Sequence, residues 1–296
     1  MATTTTLATT YAGKVAGGYI KSAFLANESL NYLTFKENID YKEVVRKIVD
    51  NVTFSAPSCD FTDSGTIALS ERIIQLEKFQ VQRQLCANDF LTDWNTSYAQ
   101  NGEITPELLE AVTATMLGGI GAENERLIWQ GVNATAGEYA GFETLLAADA
   151  AVLDVVGTTV TKANVVAEIE KVIAALPIRV RRATEKPILY VSSNVAEAYR
   201  NAMADAGNGF FYQSGENIKM TWIGQYEIAE CPGMSDNTMV FAQKSNMWFG
   251  TNTLAQWNEV AVKSMKDITL DDTIRFSAKF LAAVQYGFGN EIVFYS

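Results

Sequence analysis

From Thr273 to Phe288 every even-numbered position is apolar (Ile274, Phe276, Ala278, Phe280, Ala282, Val284, Tyr286 and Phe288), while Arg275, Ser277, Lys279, Gln285 and Gly287 occupy odd positions. One apolar and one largely polar face at a period of two predict a β-strand. A strand of about 15 residues would span roughly 50 Å, against the usual length of about 5 to 6 residues, and suits an elongated, plate-like subunit. The same period governs Phe79, Val81 and Leu85, which alternate with Lys78, Gln80, Gln82 and Gln84 downstream of the turn-forming Asp63-Ser64-Gly65. Residues 46–90 are therefore expected to form an extended hairpin. A two-stranded ribbon is marginally stable alone, so its apolar residues need cover, either from another chain or from a parent sheet.

Between these strand regions the period lengthens. Thr105-Pro106-Glu107 supplies an N-cap, a first-turn proline and an acidic residue, a helix start in three steps. Leu109, Val112, Met116, Ile120, Leu127 and Ile128 keep helical spacing toward Gly131, which predicts a helix of about 25 residues and roughly 37 Å. Gly118, Gly119 and Gly121 weaken its middle by up to about 1 kcal/mol each, so a bend or a close contact with a sheet is expected there. Val165, Val166, Ile169, Val172, Ile173 and Leu176 mark a second helix ended by Pro177, and Ile188 to Val191 is an apolar strand. Ser193 caps a third helix reaching about Asp205, and short strands follow at Lys219 to Ile223, Tyr226 to Ala229 and Thr238 to Ala242. This alternation predicts a compact α+β domain.

Residues 1–45 open with a threonine-rich run and contain Gly13, Gly17 and Gly18. Ordering such a segment alone costs conformational entropy with little burial in return, so it is read either as an arm lying on a neighbouring subunit or as a frayed terminus. Its MATTTTLATT start lacks the basic and apolar regions of a secretory signal. No stretch approaches about 18 uninterrupted apolar residues, since Leu145 to Val156 is broken by Asp149 and Asp154. Folding in the cytoplasm without a membrane partner is the expectation.

The composition narrows the chemistry. With 34 acidic against 23 basic residues, a net charge of -11 argues against a protein that wraps nucleic acid by neutralising phosphates. The three cysteines, Cys59, Cys86 and Cys231, are far apart and odd in number, which points to core thiols in a reducing compartment rather than to disulfides. The chain has no histidine, which removes the commonest general base and metal ligand. The Gly118-Gly119-Ile120-Gly121 cluster lacks the Gly-Lys-Ser/Thr ending of a phosphate loop. Asp267, Asp271 and Asp272 lack the order of a calcium loop and read as a solvated turn. Arg179, Arg181, Arg182 and Lys186 either touch DNA or pair with acids of the same or a neighbouring subunit. No catalytic, cofactor or metal residues emerge.

Lys244 to Gly250 (KSNMWFG), Trp257 to Val262 (WNEVAV) and Asp272 to Tyr295 follow one another in fixed order, the first running on into Phe249-Gly250-Thr251-Asn252. In this order they resemble the closing third of tailed-bacteriophage major capsid proteins, the Hong Kong phage type capsid fold. Asn252 stands where that family has an Asp. The resemblance is clearest over residues 218–296 and extends to 60–135. It implies an α+β fold divided into an N-terminal arm (1–45), an extended hairpin loop (46–90), a peripheral domain with a spine helix (91–135), an axial domain (136–245) and the closing long strands of the peripheral domain (246–296).

The same resemblance implies a structural rather than enzymatic role: a homo-oligomer of pentamers and hexamers forming an icosahedral shell in a virion, assembled in the host cytoplasm. Such a shell encloses DNA without sequence-specific binding, and its expected partners are a separate scaffolding protein, a portal and decoration proteins. The alternatives are an encapsulin-type nanocompartment shell and a histidine-free enzyme using carboxylates or a cysteine. Candidate inter-subunit contacts are Phe79, Val81 and Leu85 of the hairpin and Phe210, Phe211 and Tyr212. The latter three lie in the Gly- and Asn-rich loop from Asp205 to Lys219, which the resemblance would bring to the centre of a capsomer.

Overall fold

A single strand of 14 residues, Thr273–Tyr286, organises the molecule. The computed structural model describes residues 9–12, 27–52, 54, 56–57, 59, 65–86, 106–205, 221–222, 225–253, 258–265, 269–271 and 273–296. In chain order the elements are β1 (Thr9–Ala12), β2 (Thr34–Lys36), β3 (Lys42–Val52), β4 (Gly65–Gln75), β5 (Glu77–Cys86), α1 (Pro106–Gln130), α2 (Phe142–Ala148), β6 (Leu153–Val155), α3 (Val165–Ala175), α4 (Ile178–Arg181), β7 (Ile188–Val191), α5 (Ser193–Asp205), β8 (Thr221–Trp222), β9 (Tyr226–Glu230), β10 (Met239–Ala242), β11 (Met247–Thr251), β12 (Glu259–Ser264), β13 (Thr273–Tyr286) and β14 (Val293–Tyr295). They form two six-stranded sheets and a separate β3/β4 hairpin.

In the first sheet β13 pairs antiparallel with β5 from Thr273 to Ala282. It also pairs with β12 from Ile274 to Lys279 and with β11 from Ala282 to Tyr286. A strand has two edges, so β12 and β11 must lie end to end along the edge that β5 leaves free. β1 then flanks β12, and β2 runs parallel to β11. Every even position of β13 from Ile274 to Tyr286 is buried, as the alternation predicted. The odd positions are not uniformly polar: Leu281 and Ala283 are buried in a small second cluster with Ile39, Ile74 and Leu76 on the reverse face. The strand stops two residues before Phe288, where the Asn246 Oδ1 accepts hydrogen bonds from the Gly287 and Phe288 N–H groups at 3.1 and 2.8 Å.

The second sheet runs β6-β14-β10-β7-β9-β8. All four residues of β7 and of β10 are buried, the signature of strands covered on both faces. On one face Leu189, Val191, Met239, Phe241, Val293 and Tyr295 pack against α3 and α5 through Val165, Ile169, Val172, Val195 and Tyr199. On the other, Tyr190, Val240 and Phe294 join Trp129, Phe142 and the even face of β13 in one large core. The two sheets therefore share apolar material, and α1 spans the join.

Helix α1 covers Pro106–Gln130, in agreement with the expected 25 residues, while Thr105 lies outside the described residues. A side chain at Gly118 or Gly119 would meet nothing within 4 Å, so the close sheet contact expected there does not occur at these two positions. Three further expectations need correction. First, the segment 1–45 is not an arm free of its own subunit where it is described. β1 adds to the subunit's own β12, and Leu30, Leu33 and Ile39 are buried in the body because they are apolar enough to repay ordering. Second, the hairpin is β3 with β4, whereas residues 77–86 form a sheet strand along β13. Third, residues 293–295 do not end the first sheet but insert between β6 and β10 of the second.

Candidate assembly surface

The β3/β4 hairpin pairs eleven residues on each side, from Lys42 opposite Gln75 to Val52 opposite Gly65. Eleven residues extend about 36 Å. Its base is anchored to the body. Ile74 and Leu76 enter the reverse-face cluster with Leu281 and Ala283, and Gln285 donates from Nε2 to the Ile73 carbonyl at 3.1 Å. Gly250 makes this possible: a Cβ there would sit 2.7 Å from Ile74 Cδ1 and 2.8 Å from Ile39 Cδ1. The glycine of the Phe249-Gly250-Thr251-Asn252 word thus leaves the space that the hairpin base fills. Asn252 and Asn258 are buried, and the Asn258 side-chain amide donates to the Asn252 carbonyl at 2.6 Å, tying the residue after β11 to the residue before β12.

A polar clasp joins hairpin and body beside this cluster. Arg72 of β4 pairs with Asp149, which follows α2, and its guanidinium stands 4.9 Å from the centre of the Tyr286 ring. Tyr286 donates its hydroxyl to Asp149 Oδ2 at 2.6 Å. That hydroxyl, then the Ala151 N–H and the Arg72 guanidinium, hold the Asp149 carboxyl below its ordinary range despite partial burial. Burial, followed by the Asp149 carboxylate, pushes the Tyr286 phenol well up.

At its base and past its β3 end the hairpin region presents apolar groups to solvent. Tyr41, Val44 and Ile73 are 59 %, 40 % and 42 % exposed, and Phe54 is 98 % exposed. Val44 and Ile73 are cross-strand partners, so both belong to one face. In an isolated subunit these groups lack cover.

The sequence-derived candidates fall differently. Phe79 is 7 % exposed, its ring 5.6 Å from those of Tyr139 and Phe280. Val81 and Leu85 are partly buried and pack on the same core, opposite Ala278 and Ile274. The cover these three require is supplied largely by their own subunit. Phe210, Phe211 and Tyr212 lie outside the described residues, as do Asp267 and Asp272. Of the cysteines only Cys231 is a core thiol; Cys59 and Cys86 are exposed. Arg179 pairs with Glu291 at 2.9 Å, while Lys186 donates to the Arg181 carbonyl at 3.3 Å.

Sequence reading missed a buried acid at the join between the sheets. Glu125 of α1 accepts the Ser29 hydroxyl, and Trp129 donates from Nε1 to Ser29 Oγ at 2.8 Å. Burial pushes the Glu125 carboxyl up, partly offset by the Ser29 hydroxyl and the Ser29 and Gly233 N–H groups. Its other oxygen is buried with no hydrogen-bond partner among the described residues. The helical spacing of Asn124 and Glu125 gave no signal that they face inward. Among the described residues no group of three or more Cys, Asp or Glu could hold a metal, and no helix is long and apolar enough to cross a membrane.

No protein-family profile matches the chain, and no curated protein matches it. Solved structures do. The chain is similar over its whole length to 94 % of a subunit from the capsid of a native GTA particle, with a TM-score of 0.61 and 13 % identity. It is similar over 95 % of its length to 99 % of a chain in the procapsid of satellite phage P4, with a TM-score of 0.56 and 10 % identity. A virus-like particle from Pyrococcus furiosus matches over 96 % of this chain and 99 % of its own, with a TM-score of 0.53 and 8 % identity.

Proposed function

Since the chain carries the α+β Hong Kong phage type capsid fold, we propose that it is the major capsid subunit of a tailed bacteriophage, forming pentamers and hexamers of an icosahedral shell around double-stranded DNA. The observation that carries this reading beyond the fold is the hairpin. Among the described residues its long ribbon is tied to the body at its base and leaves Tyr41, Val44, Ile73 and Phe54 in water. Laid over a neighbouring subunit, the ribbon would bury those groups and join each copy to the next by a heterologous, ring-closing contact. The work of such a subunit is association, driven by apolar burial and strand interlock. The net charge of -11 keeps an enclosed DNA from adhering to the wall. A scaffolding protein and a portal are the partners this role implies, with decoration proteins an optional addition, the virion its location, and the host cytoplasm its place of assembly.

The likeness to the virus-like particle from Pyrococcus furiosus favours one second reading, an encapsulin-type compartment shell. Negative-stain microscopy of the purified chain, alone and co-produced with its scaffold, is the test. Rings or closed shells are expected; a monodisperse 32.4 kDa monomer at high concentration under both conditions would remove the shell reading. Shells that load a protein cargo and assemble without portal or scaffold would select the second reading.

A further inference from the structure

The second sheet carries a cavity of about 690 Å³ lined by Ile178, Arg181, Arg182, Lys186, Gln225 and Tyr226. Three cations converge on it. Five other arginines of this chain pair with carboxylates: Arg46 with Glu71, Arg72 with Asp149, Arg126 with Glu123 and Glu138, Arg179 with Glu291, and Arg200 with Glu230, while Arg275 donates to Gln84. No ion pair with a carboxylate is formed by Arg181, Arg182 or Lys186 among the described residues, and the Arg181 Nε is buried without a hydrogen-bond partner there. A buried guanidinium nitrogen without an acceptor is costly in a finished structure. The cavity is thus complete in donors and short of an acceptor.

Its walls define the kind of acceptor. Ile178 is 57 % exposed and Tyr226 is buried, so apolar surface flanks the cations. A phosphate backbone presents charges along an open line and is met by a basic stripe, whereas a concave cavity with apolar flanks fits an inserted side chain, its stem against Ile178 and its carboxylate among the guanidiniums. In a shell of identical copies, each with 34 acidic against 23 basic residues, the surface that every subunit meets most is carboxylate-rich.

We propose that this cavity is an inter-subunit socket that receives an Asp or Glu side chain from a second copy of the chain. The socket rests on the shell reading above. Together with the hairpin it gives each copy two chemically different contacts, one apolar and one ionic, and the ionic one sets register more than strength.

The test compares assembly of the wild-type chain and of an Arg181→Gln/Arg182→Gln/Lys186→Gln variant, co-produced with the scaffold, by light scattering at low and high sodium chloride. The variant is expected to need about tenfold more subunit to assemble at low salt and to match the wild type at high salt, where screening removes the pair. A map of the assembled shell should hold a neighbour's carboxylate on Arg181 or Arg182. Should the triple variant not fold, Arg182→Glu at an exposed position carries the same comparison. Variant assembly at the wild-type concentration, or a cavity filled by the chain's own residues 206–220 or by nucleic acid, would overturn the socket while leaving wild-type shells intact. Failure of the wild-type chain to assemble would instead strike the shell reading first.

Discussion

Arg72 and Asp149 form an ion pair between the hairpin and the body, and Tyr286 donates its hydroxyl to the same carboxylate at 2.6 Å. With the small cluster of Ile39, Ile74, Leu76, Leu281 and Ala283, the Gln285 bond to the Ile73 carbonyl and the Lys36–Glu43 pair, this clasp helps set the angle at which the ribbon leaves the subunit.

Replacing Asp149 by Asn should cost about 1 to 2 kcal/mol at neutral pH, since Arg72 is more than a third exposed and solvent trims the pair. The Asp149 pKa is depressed, so its stabilisation is present above the ordinary carboxylate range and is lost as pH falls through the folded value, below about pH 4. Urea midpoints of the two proteins should differ at pH 7 and draw together as pH falls below the ordinary carboxylate range. A gap that persists in acid would show that the clasp is not electrostatic.

Gly250→Ala puts a methyl where Ile74 Cδ1 and Ile39 Cδ1 already stand and should destabilise by about 1 to 3 kcal/mol. Adding Ile74→Val, which deletes one of the two clashing carbons, should recover part of the loss. Thermal melts of the single and double variants measure the recovery, and simple additivity of the two changes would contradict the steric account.

Phe79→Ala should unfold the subunit more easily by about 3 to 5 kcal/mol, because a buried ring between Tyr139 and Phe280 is removed. Phe54→Ser should leave the subunit's melting temperature nearly unchanged, since the ring is 98 % exposed, yet reduce assembly. The pair separates internal packing from association. Equal effects of both changes on the isolated subunit would refute that division.

Glu125 predicts the opposite pH dependence from Asp149. Its folded pKa is raised by burial, so its contribution is intact at acid pH and is lost as pH rises through the folded value. Glu125→Gln keeps the size and abolishes the ionisation. The variant's melting temperature should therefore gain on the wild type between pH 5 and pH 8, and a difference that is flat across that interval would rule the account out.

Elements with a strong period were readable from sequence alone: β13 from its even apolar positions, α1 from Pro106 to the residue before Gly131, and the apolar strand Ile188–Val191. Alternation reports that a face is covered, not by what, which is why Phe79, Val81 and Leu85 pointed to a neighbour although Phe79 packs on Tyr139 and Phe280 and the other two pack partly on the same core of their own chain. The hairpin's exposed groups escaped notice because Val44 and Ile73 become one face only through a register that pairing fixes. The Arg72 and Asp149 clasp, separated by 77 positions, and the Ser29 and Glu125 contact, by 96, leave no local trace.

The placement of β14 has a consequence for biosynthesis. Residues 293–295 are an interior strand of the second sheet, between β6 and β10. The second sheet therefore cannot close on a growing polypeptide until residue 295 has left the ribosome, whereas every strand of the first sheet has been made by residue 286.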